Sequence, residues 1–216
     1  MSMIELIIDP SPQGSDEWKQ VRCGKVTASR FKDVMTKGRG VTADNYRNEL
    51  YAEHFTGIPK YEINAKALKW GNYHEPAGRT AYSFHRNLPV VKTGFVMRKD
   101  IPGVGTSVDG LVGDDGVMEI KCPYDFATHA MNLRFKKLDK RYVWQVQGHL
   151  WITGRKWCDF VSFDPRYKDV AKQLSIITVE RDDEMIEELE YQVLEFRAKL
   201  DHEIERDTEK TDGDDE

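Results

Sequence analysis

Glu119 and Lys121 stand two residues apart in the segment MEIKCPYD, residues 118–125, with Ile120 between them and a Cys-Pro stop behind. In an extended chain alternate side chains point to opposite faces, so the carboxylate and the ammonium share one face while Ile120 enters the core. An ion pair accounts for that spacing. So does a catalytic metal site, provided a second carboxylate stands close by. Asp109 is the candidate, because it ends the strand-like stretch VGTSVDG and the short turn GDDG separates that stretch from MEIKC. With the turn near the middle of GDDG, Asp109 and Glu119 become near neighbours on paired strands. Two carboxylates that close repel each other, and a divalent cation removes the penalty. A hard ion such as Mg²⁺ takes one or two carboxylates, waters and phosphate oxygens. A nearby lysine can then stabilise an attacking hydroxide and the charge growing on phosphorus. On spacing alone, a surface ion pair plus a turn aspartate is the more economical explanation, since short motifs recur by chance.

The elements that must hold these residues can be read from periodicity. Ser15 caps a short helix through Trp18 to Arg22, and Thr27 caps another through Phe31 and Val34. Thr42 opens a helix with Tyr46, Leu50, Tyr51 and Phe55 at helical spacing, stopped by Gly57 and Pro59. Ala65 to His85 reads as a long helix interrupted near Gly71 and Pro76, which places a bend beside Glu75. From Leu88 the period turns strand-like: LPVVKTGFVM, VGTSVDGLVG and GVMEIKC suggest three strands in an antiparallel meander. Helices over Phe126–Leu138 and Arg141–Thr153 follow, then strands WCDFVSFDP and LSIITVE, then an amphipathic helix from Asp182 to Glu205. The expected fold is an α/β (α+β) domain with a central mixed sheet flanked by helices.

Composition bounds the function. At 216 residues, 39% of them hydrophobic, the chain can bury one sizeable core, so a single domain over 1–208 is expected with an acidic, disordered tail at 209–216. Cys23, Cys122 and Cys158 are isolated, too few for a disulfide framework or a four-cysteine cluster, and the histidines show no zinc-ligand spacing with them. Neither a basic leader nor an apolar run of membrane-spanning length is visible, so a cytoplasmic protein with no membrane partner is expected. The formal charge of −5 is unevenly divided. Residues 182–216 hold 16 acidic and 4 basic side chains, net −12, while residues 1–181 hold 21 acidic and 28 basic, net +7. A basic body suits phosphate binding, as it suits a solvated lysine-rich surface.

The motifs RCGKVTAS, NAKALKWGNYHE, TSVDGLV, MEIKCP, YVWQVQGHLWIT, FDPR and TVERD, in this order over about residues 18–183, resemble the YqaJ-like viral recombinases. This is the phage lambda exonuclease family within the PD-(D/E)XK nuclease superfamily. The resemblance implies a restriction-endonuclease-like core and a Mg²⁺-dependent exonuclease, with Mn²⁺ able to substitute. Such an enzyme degrades one strand of linear duplex DNA from its 5′ end, releases 5′-mononucleotides and leaves a 3′ single strand for phage-type recombination. It implies that Asp109, Glu119 and the Ile120 carbonyl bind metal, that Lys121 orients and activates water, and that Gln145 and Glu75 complete the catalytic set. Val108 stands where the superfamily has a proline.

Arg22, Thr27 and Ser29 offer a guanidinium, hydroxyls and backbone N–H groups to one anion, although Thr27 and Ser29 serve equally as helix caps. By resemblance, Arg22, Ser29 and Arg39 hold the terminal 5′ phosphate and Leu68 wedges into the DNA end. The resemblance also implies a homotrimeric ring around 5′-phosphorylated duplex, a single-strand annealing protein as partner, and a bacterial host cytoplasm. Two alternatives remain: a sequence- or structure-specific endonuclease using the same Asp109, Glu119 and Lys121, and a non-catalytic DNA-end-binding module that keeps Arg22 and Ser29 but does not need the metal ligands.

Overall fold

A computed structural model describes residues 4–36, 41–60 and 66–213, with the side chains of 210–213 left out of account. Nine strands form two mixed sheets among these residues, and seven α-helices flank them. The first sheet runs β1 (Leu6–Ile8), β4 (Val96–Arg98), β5 (Val104–Thr106), β2 (Val26–Thr27). The second runs β3 (Val90–Val91), β6 (Gly110–Val112), β7 (Gly116–Lys121), β8 (Trp157–Phe163), β9 (Leu174–Glu180). The α/β class is therefore as expected, but the sheet is not single.

The division falls inside two stretches that alternate like continuous strands. LPVVKTGFVM supplies β3 to one sheet and β4 to the other, and VGTSVDGLVG likewise supplies β6 and β5. The reason lies in where the backbone groups at the breaks find partners. The side chain of Gln13 donates to both the Thr93 carbonyl (3.2 Å) and the Val108 carbonyl (2.7 Å), so one amide replaces ladder bonds at both breaks. Trp18 Nε1 donates to Ser107 Oγ at 3.0 Å and ties the second break to helix α1 (Asp16–Arg22). The expected meander survives in the second sheet as β3-β6-β7, antiparallel throughout.

β7 and β8 are parallel, which requires a crossover, and α5 (Phe126–Phe135) with α6 (Val143–Thr153) supplies it. α6 starts after a single 3₁₀ turn, Lys140–Tyr142, whose N-cap is Asp139. The helix lies against α2 (Phe31–Val34) and the preceding 3₁₀ turn, Ala28–Arg30. Gly148 permits that approach, because a β-carbon there would enter the Phe31 ring. The larger core lies on this side, with Val117, Val146, Leu150, Trp151 and Phe160 joined by Leu189, Val193 and Leu200 of α7 (Asp183–Gly213). α4 (Lys66–Arg86) covers the other face of β7 and β8, over Met118, Ile120, Val161 and Phe163. Gly78 brings it close, since a β-carbon there would lie 2.6 Å from Ile120 Cδ1.

Three local expectations are corrected. α4 is continuous, with Pro76 inside it rather than at an interruption; burial of Gly78 and Tyr82 on the sheet holds the helix through the proline. Thr27 caps nothing: it sits in β2 and its own N–H is taken by the Tyr46 hydroxyl at 3.1 Å. α7 runs to Gly213, past the end expected at Glu205.

Candidate active site

The β6–β7 register sets the site. Gly110 pairs with Met118 across the antiparallel ladder, and Asp109 N donates to the Met118 carbonyl at 3.1 Å. Asp109 therefore stands beside Glu119 and Ile120, at the point where the chain passes from the first sheet to the second. Its Oδ2 accepts the Ile120 N–H at 2.8 Å, and Oδ1 accepts no bond from the described residues. Both polar groups of one strand residue lie on the same edge, so the Ile120 carbonyl faces Asp109 as well.

Glu119 is only 2% exposed, which would be costly for a carboxylate without compensation. Three donors compensate it. Lys121 Nζ lies 2.5 Å and Gln145 Nε2 2.7 Å from Oε1, and His149 Nε2 lies 2.9 Å from Oε2. Gln145 and His149 are four residues apart on α6, hence on one helical face, and that face is aimed at β7. The Glu119–Lys121 ion pair is thus present, with its carboxylate buried beside Asp109 rather than on the surface.

The electrostatics are those of crowded carboxylates. Burial pushes the Asp109 carboxyl well above its usual range and the Glu119 charge adds to the effect; Lys121 opposes it, and Glu75 contributes a further push. For Glu119 burial acts upward too, but the Lys121 ammonium and the His149 hydrogen bond outweigh it and bring the group to about 2. Burial disfavours the charge on Lys121, yet Glu119 and Asp109 together hold it protonated far above an ordinary lysine. With no metal between the two carboxylates, Lys121 is therefore held as a cation. Burial, with Glu75 and Asp109 nearby, pushes the Cys122 thiol up to about 12, which excludes a thiolate nucleophile at neutral pH.

The donor set suits a hard divalent cation. Asp109 Oδ1 is open, and a carboxylate has about four lone-pair sites of which Glu119 uses three. Among the described residues no group of three or more His, Cys, Asp or Glu gathers as a ready metal set.

The other expected residues make no hydrogen bond to this cluster among the described residues. Glu75 projects from α4 and is paired with Arg79; it reaches Asp109 through its charge rather than through a bond. Leu68, in the first turn of α4, is 38% exposed. Arg22 stacks over the Trp18 ring at 3.9 Å, and its charge acts on the Tyr46 hydroxyl that binds Thr27 N. Ser29 is exposed, with its Oγ 3.3 Å from Thr27 Oγ1, so Arg22, Thr27 and Ser29 share one neighbourhood around Tyr46. Arg39 lies outside the described residues. His149 and Thr106 were not foreseen. For His149 a signal existed, because it lies one turn from Gln145 in QVQGH; for Thr106 there was none.

A protein-family model for the YqaJ-like viral recombinase domain matches residues 17–156. Among solved structures, the chain is similar to an alkaline exonuclease from Laribacter hongkongensis at 41% identity and TM-score 0.84, over 92% of this chain and 99% of that one. The same enzyme in complex with dAMP matches at 40% identity and TM-score 0.84, with the same coverage. A phage-related exonuclease from Haemophilus somnus 129PT, at 20% identity and TM-score 0.67 over 84% of this chain and 96% of that one, shares the fold. A search of curated protein sequences finds no match. The family match spans the α1 segment, the Asp109–Glu119–Lys121 strands and Gln145 on α6, and on that basis the chain belongs to the YqaJ-like viral recombinase family.

Proposed function

We propose that the protein is a Mg²⁺-dependent exonuclease. It digests one strand of linear double-stranded DNA in the 5′-to-3′ direction, releases 5′-mononucleotides and leaves a 3′ single strand for recombination. The exonuclease class is supported by family membership and by 41% identity to an alkaline exonuclease. The observation that carries the chemistry is the meeting of Asp109 with Glu119 on adjacent strand ends, with Lys121 and Gln145 both on one Glu119 oxygen.

Asp109 Oδ1, the open site on Glu119 and the Ile120 carbonyl would hold the ion. Bound there, Mg²⁺ would neutralise charge on the scissile phosphate and acidify a water. Lys121 orients and activates the attacking water and offsets negative charge that builds on the phosphate oxygens. Gln145 holds Glu119 from α6, and Glu75, on α4, acts on Asp109 through its charge. Mn²⁺, with the same preference for oxygen donors, substitutes.

End recognition belongs to other residues. Arg22 and Ser29, with Arg39, bind the terminal 5′ phosphate, and Leu68 separates the terminal base pair. Catalysis resides in one nuclease domain over 1–208. A homotrimeric ring keeps the duplex enclosed between cuts, and an annealing protein receives the 3′ strand in the bacterial host cytoplasm. No helix among the described residues is long and apolar enough to cross a membrane.

The test is a linear duplex labelled at the 5′ or the 3′ end, with or without a 5′ phosphate, incubated in Mg²⁺ or EDTA beside closed circular DNA. Early release of the 5′ label as mononucleotide, faster from phosphorylated ends and absent in EDTA, is expected. Cutting of the closed circle would replace the reading with an endonuclease.

A further inference from the structure

His149 is 1% exposed and lies between the two sheets, where it is bonded on both sides. Its Nδ1 is 2.5 Å from the hydroxyl of Thr106, the last residue of β5 in the first sheet, and its Nε2 is 2.9 Å from Glu119 of β7 in the second. The direction of these bonds is set by chemistry. A carboxylate can only accept, so Nε2 carries the hydrogen; in the neutral ring Nδ1 is then an acceptor, and the Thr106 hydroxyl donates to it. The chain of donation therefore runs Thr106 to His149 to Glu119 and ends on Oε2.

That oxygen matters because of what binds the other one. Lys121 and Gln145 both load Oε1, and a carboxylate turns easily about its last torsion, which is broad and two-fold. Left to Lys121 and Gln145, both on one oxygen, the group would be free to turn about that torsion and carry its other oxygen away. His149 opposes that rotation from the far side, and Thr106 fixes both the ring plane and the tautomer that can do so.

We propose that His149, oriented by Thr106, is a positioning residue that holds the Glu119 carboxylate in the one rotation from which it and Asp109 can share a divalent cation. The proposal rests on the metal-site reading given above. Partners that orient a metal ligand typically change affinity by about 10- to 100-fold when removed.

The test uses the full chain without DNA. Mn²⁺ affinity is measured by the loss of free-ion electron paramagnetic resonance signal for the wild type, His149→Leu, His149→Gln, Thr106→Val and Thr106→Ser, with melting temperatures in EDTA alongside. His149→Leu is expected to bind Mn²⁺ about 10- to 100-fold more weakly, and Thr106→Val to weaken it less. Thr106→Ser keeps the hydroxyl and wild-type affinity, and His149→Gln, which keeps an N–H donor, recovers much of the loss. Imidazole ¹⁵N shifts should show the Nε2–H tautomer in the wild type. Folded His149→Leu and Thr106→Val proteins with wild-type affinity would overturn the proposal; if His149→Leu does not fold, the comparison of Thr106→Val with Thr106→Ser decides. A wild type that binds no Mn²⁺ would overturn the metal-site reading and this inference with it, whereas a binding wild type with unaffected variants overturns this inference alone.

Discussion

Asp109→Asn should stabilise the metal-free protein while removing its activity. The Ile120 N–H that Oδ2 accepts at 2.8 Å can be accepted equally by an amide oxygen, so the local geometry is kept. The charge is not. Burial, the Glu119 carboxylate and Glu75 all disfavour ionised Asp109, and Lys121 with the Ile120 bond only partly offsets them. Each unit of upward shift represents about 1.4 kcal/mol of unfavourable ionisation in the folded state at neutral pH. Asp109 is half-buried, so solvent screening reduces the gain; even about 1 kcal/mol would raise the melting midpoint by about 2–4 °C in a chain of this size. A carboxyl with a raised folded pKa contributes its full stability below its unfolded pKa, about 3.9, and loses it as pH climbs through the folded value. The Asn advantage is therefore expected at pH 7 and should vanish near pH 4. Glu119 behaves oppositely, and its contribution persists until pH falls toward about 2. The assay is thermal melting in EDTA from pH 4 to 8, repeated with Mg²⁺, which should raise the midpoint of the wild type and leave the variant unchanged. A lower midpoint for Asp109→Asn in EDTA at pH 7, or an equal Mg²⁺ shift in both proteins, would refute the reasoning.

Lys121→Ala should reduce Mg²⁺-dependent digestion by about 10²- to 10³-fold, as expected for loss of one charge-stabilising donor, while binding to DNA ends measured by anisotropy in Ca²⁺ is retained. Asp159→Ala should be structural rather than catalytic: this fully buried carboxylate accepts from Tyr82 (2.7 Å), twice from Arg86 (2.7 Å each) and from Thr178 (2.6 Å). Removing it should cost about 3 kcal/mol, read as a fall of about 6–12 °C in melting midpoint. Gly148→Val should destabilise by about 1–3 kcal/mol by driving a side chain into the Phe31 ring, with circular dichroism showing the loss on heating.

How far the sequence revealed this arrangement depended on the range of the interaction. Glu119 and Lys121 were legible because strand alternation alone puts them on one face, and Asp109 because a short turn folds its strand back beside them. Gln145 is an unremarkable helix residue until a resemblance singles it out, although the same helical reading already put His149 on its face. Thr106 was illegible: its partner is 43 residues away and on another layer. The division into two sheets was hidden for a related reason. Alternation in LPVVKTGFVM and VGTSVDGLVG reports which face a side chain takes, not whether Gln13, some 80 to 95 residues away, has captured the backbone carbonyls that a continuous strand would pair. Pro76 misled because local propensity is weak against a helix face that buries Gly78 and Tyr82 on a sheet.

Anomalous scattering from crystals grown with Mn²⁺ tests the central claim most directly. A single strong peak is expected between Asp109 and Glu119, about 2.1–2.2 Å from an oxygen of each, as oxygen-ligated ions of this size require, with the Lys121 ammonium beside it. Well-ordered carboxylates with no peak between them, or a peak held by other residues, would contradict the account.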